Sequence, residues 1–184
     1  VLFFYLFLLI PFYANAELRI DITQGNTEPI PMAILDFNSK NGEEKELSKN
    51  INKVIKNNLS RSGLFLMLPK KLFIDDQINF EERPSFPDWR LTTAQGLVYG
   101  KVDINKTKLN IEFRLWDILS EKQMVAQQLT TEVSNWRRIA HVISDIIYQR
   151  ITGESGYFDS RIVYISESGS KMNRKKRLAI VDQD

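Results

Sequence analysis

The chain has 184 residues, with 25 lysines and arginines against 23 acidic residues, a single histidine and no cysteine. A net charge of +2 does not by itself indicate a nucleic-acid partner. The missing cysteines exclude disulfides, thiolate zinc sites and a lipid-modified cysteine. The length allows one well-cored domain of about 100–150 residues and a remainder.

The first sixteen residues carry no charge and have the layout of a secretory signal peptide. An apolar run from Leu2 to Ile10 is broken by Pro11, and the small-residue sequence Ala14-Asn15-Ala16 places cleavage before Glu17. The alternative is a short membrane anchor, but the run is too short to span roughly 30 Å of hydrocarbon. We therefore expect residues 1–16 to be a removed signal, from a chain clipped at its start because the usual positive first region is missing.

The segment that follows alternates between apolar and polar residues. This pattern predicts a strand at the start of the mature chain, tethered by a polar loop at residues 24–28. A terminal strand on a tether suits addition to the sheet edge of a partner protein, and the alternative is pairing with its own domain. Residues 17–28 are the predicted partner-binding segment, and its site residues are Glu17, Leu18, Arg19, Ile20, Asp21, Ile22 and Thr23.

Residues 29–153 are predicted to form the main domain. Pro29 and Pro31 argue against continuous ladder pairing across them, and an apolar strand follows at 32–35. Residues 38–46 are interpreted as a surface loop, because they are polar and charged. A helix is predicted from Leu47 to Leu59, with a stop at Gly63, a strand at 64–68, and an exposed helix face made of Lys49, Asn52, Lys53 and Lys56.

The second half of this domain is predicted to form an antiparallel meander followed by a helix. Residues 70–85 look irregular, and a short helix from Pro87 should run to Ala94 and be broken by Gly96. A second long helix should begin at Ser134-Asn135 and end at Gly153. Together these elements predict an α/β fold, a mixed sheet with two principal helices, whose last three strands lie at 97–103, 109–118 and 124–133.

After residue 153 the sequence pattern changes from helical to strand-like. Two strand patterns, at 161–166 and 177–182, are joined by a polar, basic loop. Two strands do not make a stable sheet alone. We therefore expect residues 154–184 to be the truncated start of a larger all-β domain.

The order of these signals resembles the N-terminal half of the TolB family, the periplasmic components of the Tol–Pal system, over residues 17–184. The resemblance lies in the order and spacing of many short motifs, none of which is unique. They are the signal ending Ala14-Asn15-Ala16, then Glu17-Leu18-Arg19-Ile20, Asp36-Phe37, Leu59 to Phe65, Gly96 to Gly100, Arg114-Leu115-Trp116-Asp117, Ile151 to Glu154, Phe158 to Tyr164, and Leu178 to Asp182.

The resemblance implies a periplasmic protein without enzymatic activity or cofactor. It implies an α/β domain related in shape to anticodon-binding domains, followed by a six-bladed β-propeller. The N-terminal segment is expected to bind the C-terminal domain of TolA. The segment would be docked on its own domain in one state and released in another. The propeller is expected to bind the lipoprotein Pal, through blades beyond this sequence. The system supports outer-membrane integrity and constriction at cell division.

The remaining candidate sites favour a structural interpretation. His141 has no catalytic or metal-ligating partner in the sequence pattern, and the pairs Asp75-Asp76 and Glu81-Glu82 lie in a polar stretch that should be solvated. The run from Lys171 to Arg177 has five basic residues in seven. It supports the alternative function, a nucleic-acid-binding module, although it lacks interleaved aromatic residues and is interpreted as a solvated loop.

Overall fold

The structure is a computed structural model. It describes residue 18 and residues 28–74 and 78–182. The predicted signal at 1–16, most of the N-terminal segment, and the Asp75-Asp76 pair lie outside the described residues. Among the helices it does describe, none is both long and apolar enough to cross a membrane.

The main domain is built on a five-stranded mixed sheet, as predicted. The strand order is β2-β1-β3-β4-β5, so β2 and β5 are the two edge strands. Strand β1 lies between β2 and β3 and runs parallel to both, and β3, β4 and β5 form the antiparallel meander. The strands are β1 (Ile30–Ile34), β2 (Phe65–Met67), β3 (Gly96–Asn105), β4 (Lys108–Asp117) and β5 (Lys122–Glu132).

Two long helices cover one face of this sheet. They are α1 (Gly42–Arg61) and α3 (Trp136–Thr152), which contact each other and the sheet. Their apolar stripes and the inward side chains of the strands make one core, since the alternating residues of each strand point to the same face. Fully buried members of this core include Ile51, Ile55, Ile111, Phe113, Ile143 and Ile147.

Among the described residues, a second apolar cluster covers part of the opposite face of the sheet. The segment 78–94, with the short helix α2 (Phe86–Arg90), contributes to this cluster. Trp116 donates its indole N–H to the Tyr99 hydroxyl oxygen over 3.1 Å, and Tyr99 donates its own hydroxyl to the Glu82 carbonyl over 2.8 Å. Buried polar groups in this cluster are therefore satisfied by one another.

The start of α1 corrects the predicted loop at 38–46. The helix begins at Gly42, because the Asn41 side chain accepts the Glu44 N–H over 2.9 Å and caps the first turn. The predicted exposed face of this helix is also wrong at Asn52, which is buried. Asn52 donates its amide to the Leu35 carbonyl over 2.9 Å and so ties the helix to the end of β1.

Two further predictions about chain-breaking residues are wrong. Pro31 lies inside β1, paired with Leu66 of β2. It is tolerated because its missing N–H would face β3 before the β1–β3 ladder begins at Met32, while its carbonyl accepts the Gln95 N–H over 2.9 Å. The short helix predicted to run to Ala94 ends at Arg90, so Gly96 does not end it and is instead the first residue of β3.

The core extends past residue 153, where α3 ends at Gly153 in a left-handed conformation. Phe158 is buried in the main core, beyond the boundary predicted at 153. The Asp145 carboxylate on α3 accepts the Phe158 N–H over 2.7 Å and the Asp159 N–H over 3.0 Å. A separate antiparallel hairpin follows, formed by β6 (Arg161–Ser168) and β7 (Lys175–Asp182).

Candidate docking site of the N-terminal segment

Of the seven predicted site residues, Leu18 is the one that lies in the described part of the chain. The other six, Glu17, Arg19, Ile20, Asp21, Ile22 and Thr23, lie outside it. The Leu18 side chain is 9% exposed and belongs to the main core. The structure therefore gives the position of one residue of the segment, and it is a buried one.

The backbone of Leu18 is held by the Asp117 side chain at the end of β4. The Leu18 N–H donates to Asp117 Oδ2 over 2.8 Å across 99 residues of sequence. The carboxylate is 1% exposed. A hydrogen bond to a buried carboxylate is stronger than one between neutral groups, so this single contact fixes the main chain at Leu18.

The same carboxylate organises the turn between β4 and β5. Asp117 Oδ1 accepts the N–H groups of Leu119 over 2.9 Å and of Ser120 over 3.1 Å. Asp117 Oδ2 also accepts the Ser120 hydroxyl over 2.7 Å. The carboxylate is therefore in place as part of a local turn, and Leu18 uses one of its remaining acceptor positions.

The Leu18 side chain fits where β3 has no side chain. A Cβ atom at Gly96 would lie 2.3 Å from Met32 Sδ and 3.6 Å from Leu18 Cδ2. The first of these distances is shorter than any real contact of a Cβ atom, so a larger residue would displace Met32. Gly96 thus allows Met32 and Leu18 to pack at this end of the sheet.

A groove of about 630 Å³ opens beside Leu18. It lies between the first half of β5, residues 124–127, and the last turns of α3, residues 146–153. Arg150 Nε donates to the Met124 carbonyl over 3.0 Å and bridges the two walls. The arrangement can hold an extended backbone and apolar side chains at one end of the sheet.

His141 has the structural role that its isolation in the sequence predicts. It is buried between α1 and α3, and its Nδ1 lies 2.9 Å from the Asn58 amide nitrogen. That amide also donates to Ser144 Oγ over 3.0 Å. Among the described residues, no group of three or more His, Asp and Glu side chains could hold a metal ion.

The prediction that the basic run at 171–177 is a loop is only partly right, because its last three residues belong to a strand. Lys175, Lys176 and Arg177 lie in β7. Glu167 on β6 faces the run and pairs with Arg174 over 2.8 Å and with Lys176 over 3.0 Å. Part of its charge is thus balanced within the hairpin, which weakens the alternative of a nucleic-acid surface.

Sequence reasoning did not assign a role to Asp117. The residue stands in one of the motifs that carry the resemblance, and an aspartate followed closely by serine is a turn signal. That signal could have placed Asp117 in the β4–β5 turn. The contact with Leu18 joins residues 99 positions apart, so no local pattern could have indicated it.

Fold and site together define a small α/β domain, with two long helices on a five-stranded mixed sheet and with Leu18 held by the Asp117 carboxylate. The family model described as the TolB amino-terminal domain matches residues 18–124 of the chain. The chain belongs to this family.

Curated relatives agree. The chain is 47% identical over 190 residues to the Tol-Pal system protein TolB of Pelagibacter ubique, which covers 98% of this chain and 43% of that protein. It is 45% identical over 172 residues to the Tol-Pal system protein TolB of Paramagnetospirillum magneticum, with 93% and 38% covered. The chain thus spans about two fifths of the length of these relatives.

A solved structure shares the fold. The crystal structure of TolB from Acinetobacter baumannii superposes with a TM-score of 0.68 at 25% identity, over 91% of this chain and 39% of that one. The predicted fold class, a mixed sheet with two principal helices followed by a second small sheet, is confirmed.

Proposed function

We propose that this chain is the N-terminal part of a periplasmic, non-enzymatic component of the Tol–Pal system, and that its work is to bind other envelope proteins. Residues 17–23 add as a strand to the sheet edge of the C-terminal domain of TolA. In the whole protein, the propeller that continues from residues 154–184 binds the lipoprotein Pal. The complex supports outer-membrane integrity and constriction during cell division.

Membership of the TolB family supports the choice of partner, and the contact between Leu18 and Asp117 supports a competition for the segment. Strand addition needs the main-chain N–H and C=O groups of the added strand to be free. The Leu18 N–H donates to Asp117 and the Leu18 side chain is buried, so this residue is docked on its own domain. Binding TolA therefore requires release of Leu18, and the domain and TolA compete for the same segment.

The alternating sequence of the segment supports the proposal that it adds as a strand to a partner's sheet. Leu18, Ile20 and Ile22 share one face of an extended strand. One face of an added strand packs against its partner while the other remains in water, which matches this division into apolar and polar residues.

Titration calorimetry with the isolated C-terminal domain of TolA tests which face of the segment binds. The variant Ile20→Ser/Ile22→Ser should lose at least tenfold in affinity, because two buried apolar side chains are removed from the interface. The matched control, Arg19→Ser/Thr23→Ser, changes the opposite face and should bind within about twofold of the parent. Equal losses in both variants would show that the segment does not bind as a strand with one buried face.

The competition is tested by Asp117→Asn, which keeps the shape of the side chain and removes its charge. We expect TolA to bind roughly five- to tenfold more tightly, because a hydrogen bond to a charged group that holds the docked state is weakened. Ser120→Ala is the control, since it removes another partner of the same carboxylate and leaves Leu18 in place. If Asp117→Asn bound TolA with the affinity of the parent, the domain and TolA would not be competing for Leu18.

A further inference from the structure

A stripe of lysines covers one side of α1. Lys45, Lys49, Lys53 and Lys56 stand four, four and three positions apart, so they lie on one face of the helix. Lys45, Lys49 and Lys53 are exposed and Lys56 is partly buried. In a chain whose net charge is only +2, this is a local concentration of positive charge.

The stripe continues onto the neighbouring turn at residues 70–72. Lys70 lies beside Lys45 and Lys49 around a groove of about 470 Å³ at the end of β1. Lys70 also forms an ion pair with Asp36. Burial lowers the pKa of Lys56, Asp36 raises it, and the positive charge of Lys70 lowers it again. Lys56 and Lys70 are therefore close enough for their positive charges to interact, and an anionic partner would relieve that repulsion.

Two exposed apolar side chains follow these lysines in the chain. Leu72 is 45% exposed and Ile74 is 58% exposed, directly after Lys70 and Lys71. Lysines beside exposed aliphatic residues are typical of surfaces that rest on a bilayer, where the ammonium groups meet lipid phosphates and the apolar groups enter the interface. An acidic protein surface would use the lysines and leave Leu72 and Ile74 without a role.

We propose that this surface, Lys45, Lys49, Lys53, Lys56, Lys70 and Lys71 with Leu72 and Ile74, docks the protein on an anionic phospholipid surface. The choice of lysine supports this partner. A lysine ammonium is a compact, strongly hydrated charge on a flexible stem, which suits diffuse attraction to many headgroups. Attachment is peripheral and reversible, because two aliphatic side chains are far from enough to anchor a protein irreversibly.

The test is co-sedimentation of the full chain with vesicles of phosphatidylethanolamine and phosphatidylglycerol, against neutral phosphatidylcholine vesicles. The variant Lys45→Gln/Lys49→Gln/Lys53→Gln should bind the anionic vesicles roughly 10- to 100-fold more weakly, since each lysine near an anionic surface contributes roughly a fivefold factor. The matched control, Lys171→Gln/Lys175→Gln/Lys176→Gln, removes the same charge from the basic run and should bind like the parent. All proteins keep residues 1–27, so any binding by the apolar run at the start is common to them.

A second pair of variants separates a bilayer from other anionic partners. Leu72→Ser/Ile74→Ser should weaken vesicle binding several-fold and leave binding to soluble polyglutamate unchanged. Leu91→Ser/Leu119→Ser is its control, because both residues are exposed elsewhere on the domain. Equal binding to neutral and anionic vesicles would overturn the proposal, as would a loss confined to the control lysines. Binding to polyglutamate that matches or exceeds vesicle binding would assign the surface to an acidic protein instead.

Discussion

The α/β domain and the β6–β7 hairpin are built from similar strand sequences but have opposite environments. In the domain, each of the five strands has buried residues, and β4 alone buries Leu109, Ile111, Phe113 and Leu115. In the hairpin almost every residue is exposed. Its large apolar side chains in water are Ile162, Val163, Tyr164, Ile165, Leu178, Ile180 and Val181.

This difference separates what forms a strand from what stabilises it. Local pairing across a short turn is enough to give the hairpin a regular register from Arg161–Asp182 to Ser168–Lys175. Stability, however, comes from covering an apolar face with another layer, and α1 and α3 do this only for the five-stranded sheet. Consecutive apolar residues such as Ile162 to Ile165 point to both faces of their strand, a pattern typical of strands covered on both sides.

The largest expected effect comes from the same substitution made once in each region. Ile111→Ala should destabilise the domain by about 2–5 kcal/mol, because it leaves a cavity in a tightly packed core. Ile165→Ala should change the free energy of unfolding by less than about 0.5 kcal/mol, because Ile165 is 63% exposed. Urea unfolding followed by tryptophan fluorescence measures both, since Trp89, Trp116 and Trp136 all lie in the domain. Comparable losses would mean that the hairpin contributes to the stability of the domain.

The junction between the two regions should give an intermediate effect. Asp145→Ala removes the acceptor of the Phe158 and Asp159 N–H groups and should destabilise the domain by about 1–3 kcal/mol. It should also speed proteolysis within residues 154–160, because Phe158 is no longer held in the core. The control is Glu154→Ala, an exposed acid in the same linker. If both variants were cut at the parent rate, the linker would be held by something other than Asp145.

Patterns that repeat over several residues predicted the fold well. The strands β3, β4 and β5, the alternation in β4 and the apolar stripe of α3 were identified from sequence, with boundaries close to the observed ones. β4 and α3 are recognisable because each packs an apolar face against the main core, which leaves a period of 2 or of 3.6 in the sequence.

Contacts between distant residues could not be predicted. Glu43 to Glu46 looked like a polar loop, although Asn41 followed three residues later by Glu44 is a local signal of a helix start. The burial of Glu44, in contrast, depends on a distant part of the chain. Glu44 Oε1 accepts the Ile104 N–H over 3.0 Å, across 60 residues. The anchoring of Leu18 by Asp117 is of the same kind. Propensity and periodicity carry no information about such pairs, so the sequence could not indicate which residue Leu18 contacts.

The smallest expected effect concerns charge and compares an ion pair of the α/β domain with the ion pairs of the hairpin. Burial alone would raise the pKa of Asp36. The hydrogen bond from Lys70 and the positive charges of Lys70 and Lys56 outweigh burial, with a further hydrogen bond from Asn52, so the pKa of Asp36 lies below its ordinary value. A carboxylate with a lowered pKa stabilises the fold above its ordinary pKa of about 3.9. That contribution is lost as the pH falls through the lower value in the folded state.

Asp36→Asn should therefore lower stability at neutral pH by at most about 1 kcal/mol, because the Asp36 side chain is 34% exposed and screened by solvent. It should also flatten the loss of stability below about pH 4. Lys70→Gln should reproduce part of both changes, since it removes the main partner. Glu167→Gln breaks the ion pairs of the hairpin, whose partners Arg174 and Lys176 are 52% and 66% exposed, and should leave the urea midpoint unchanged at every pH. An equal acid dependence in the parent and in Asp36→Asn would assign the acid sensitivity of the domain to other carboxylates.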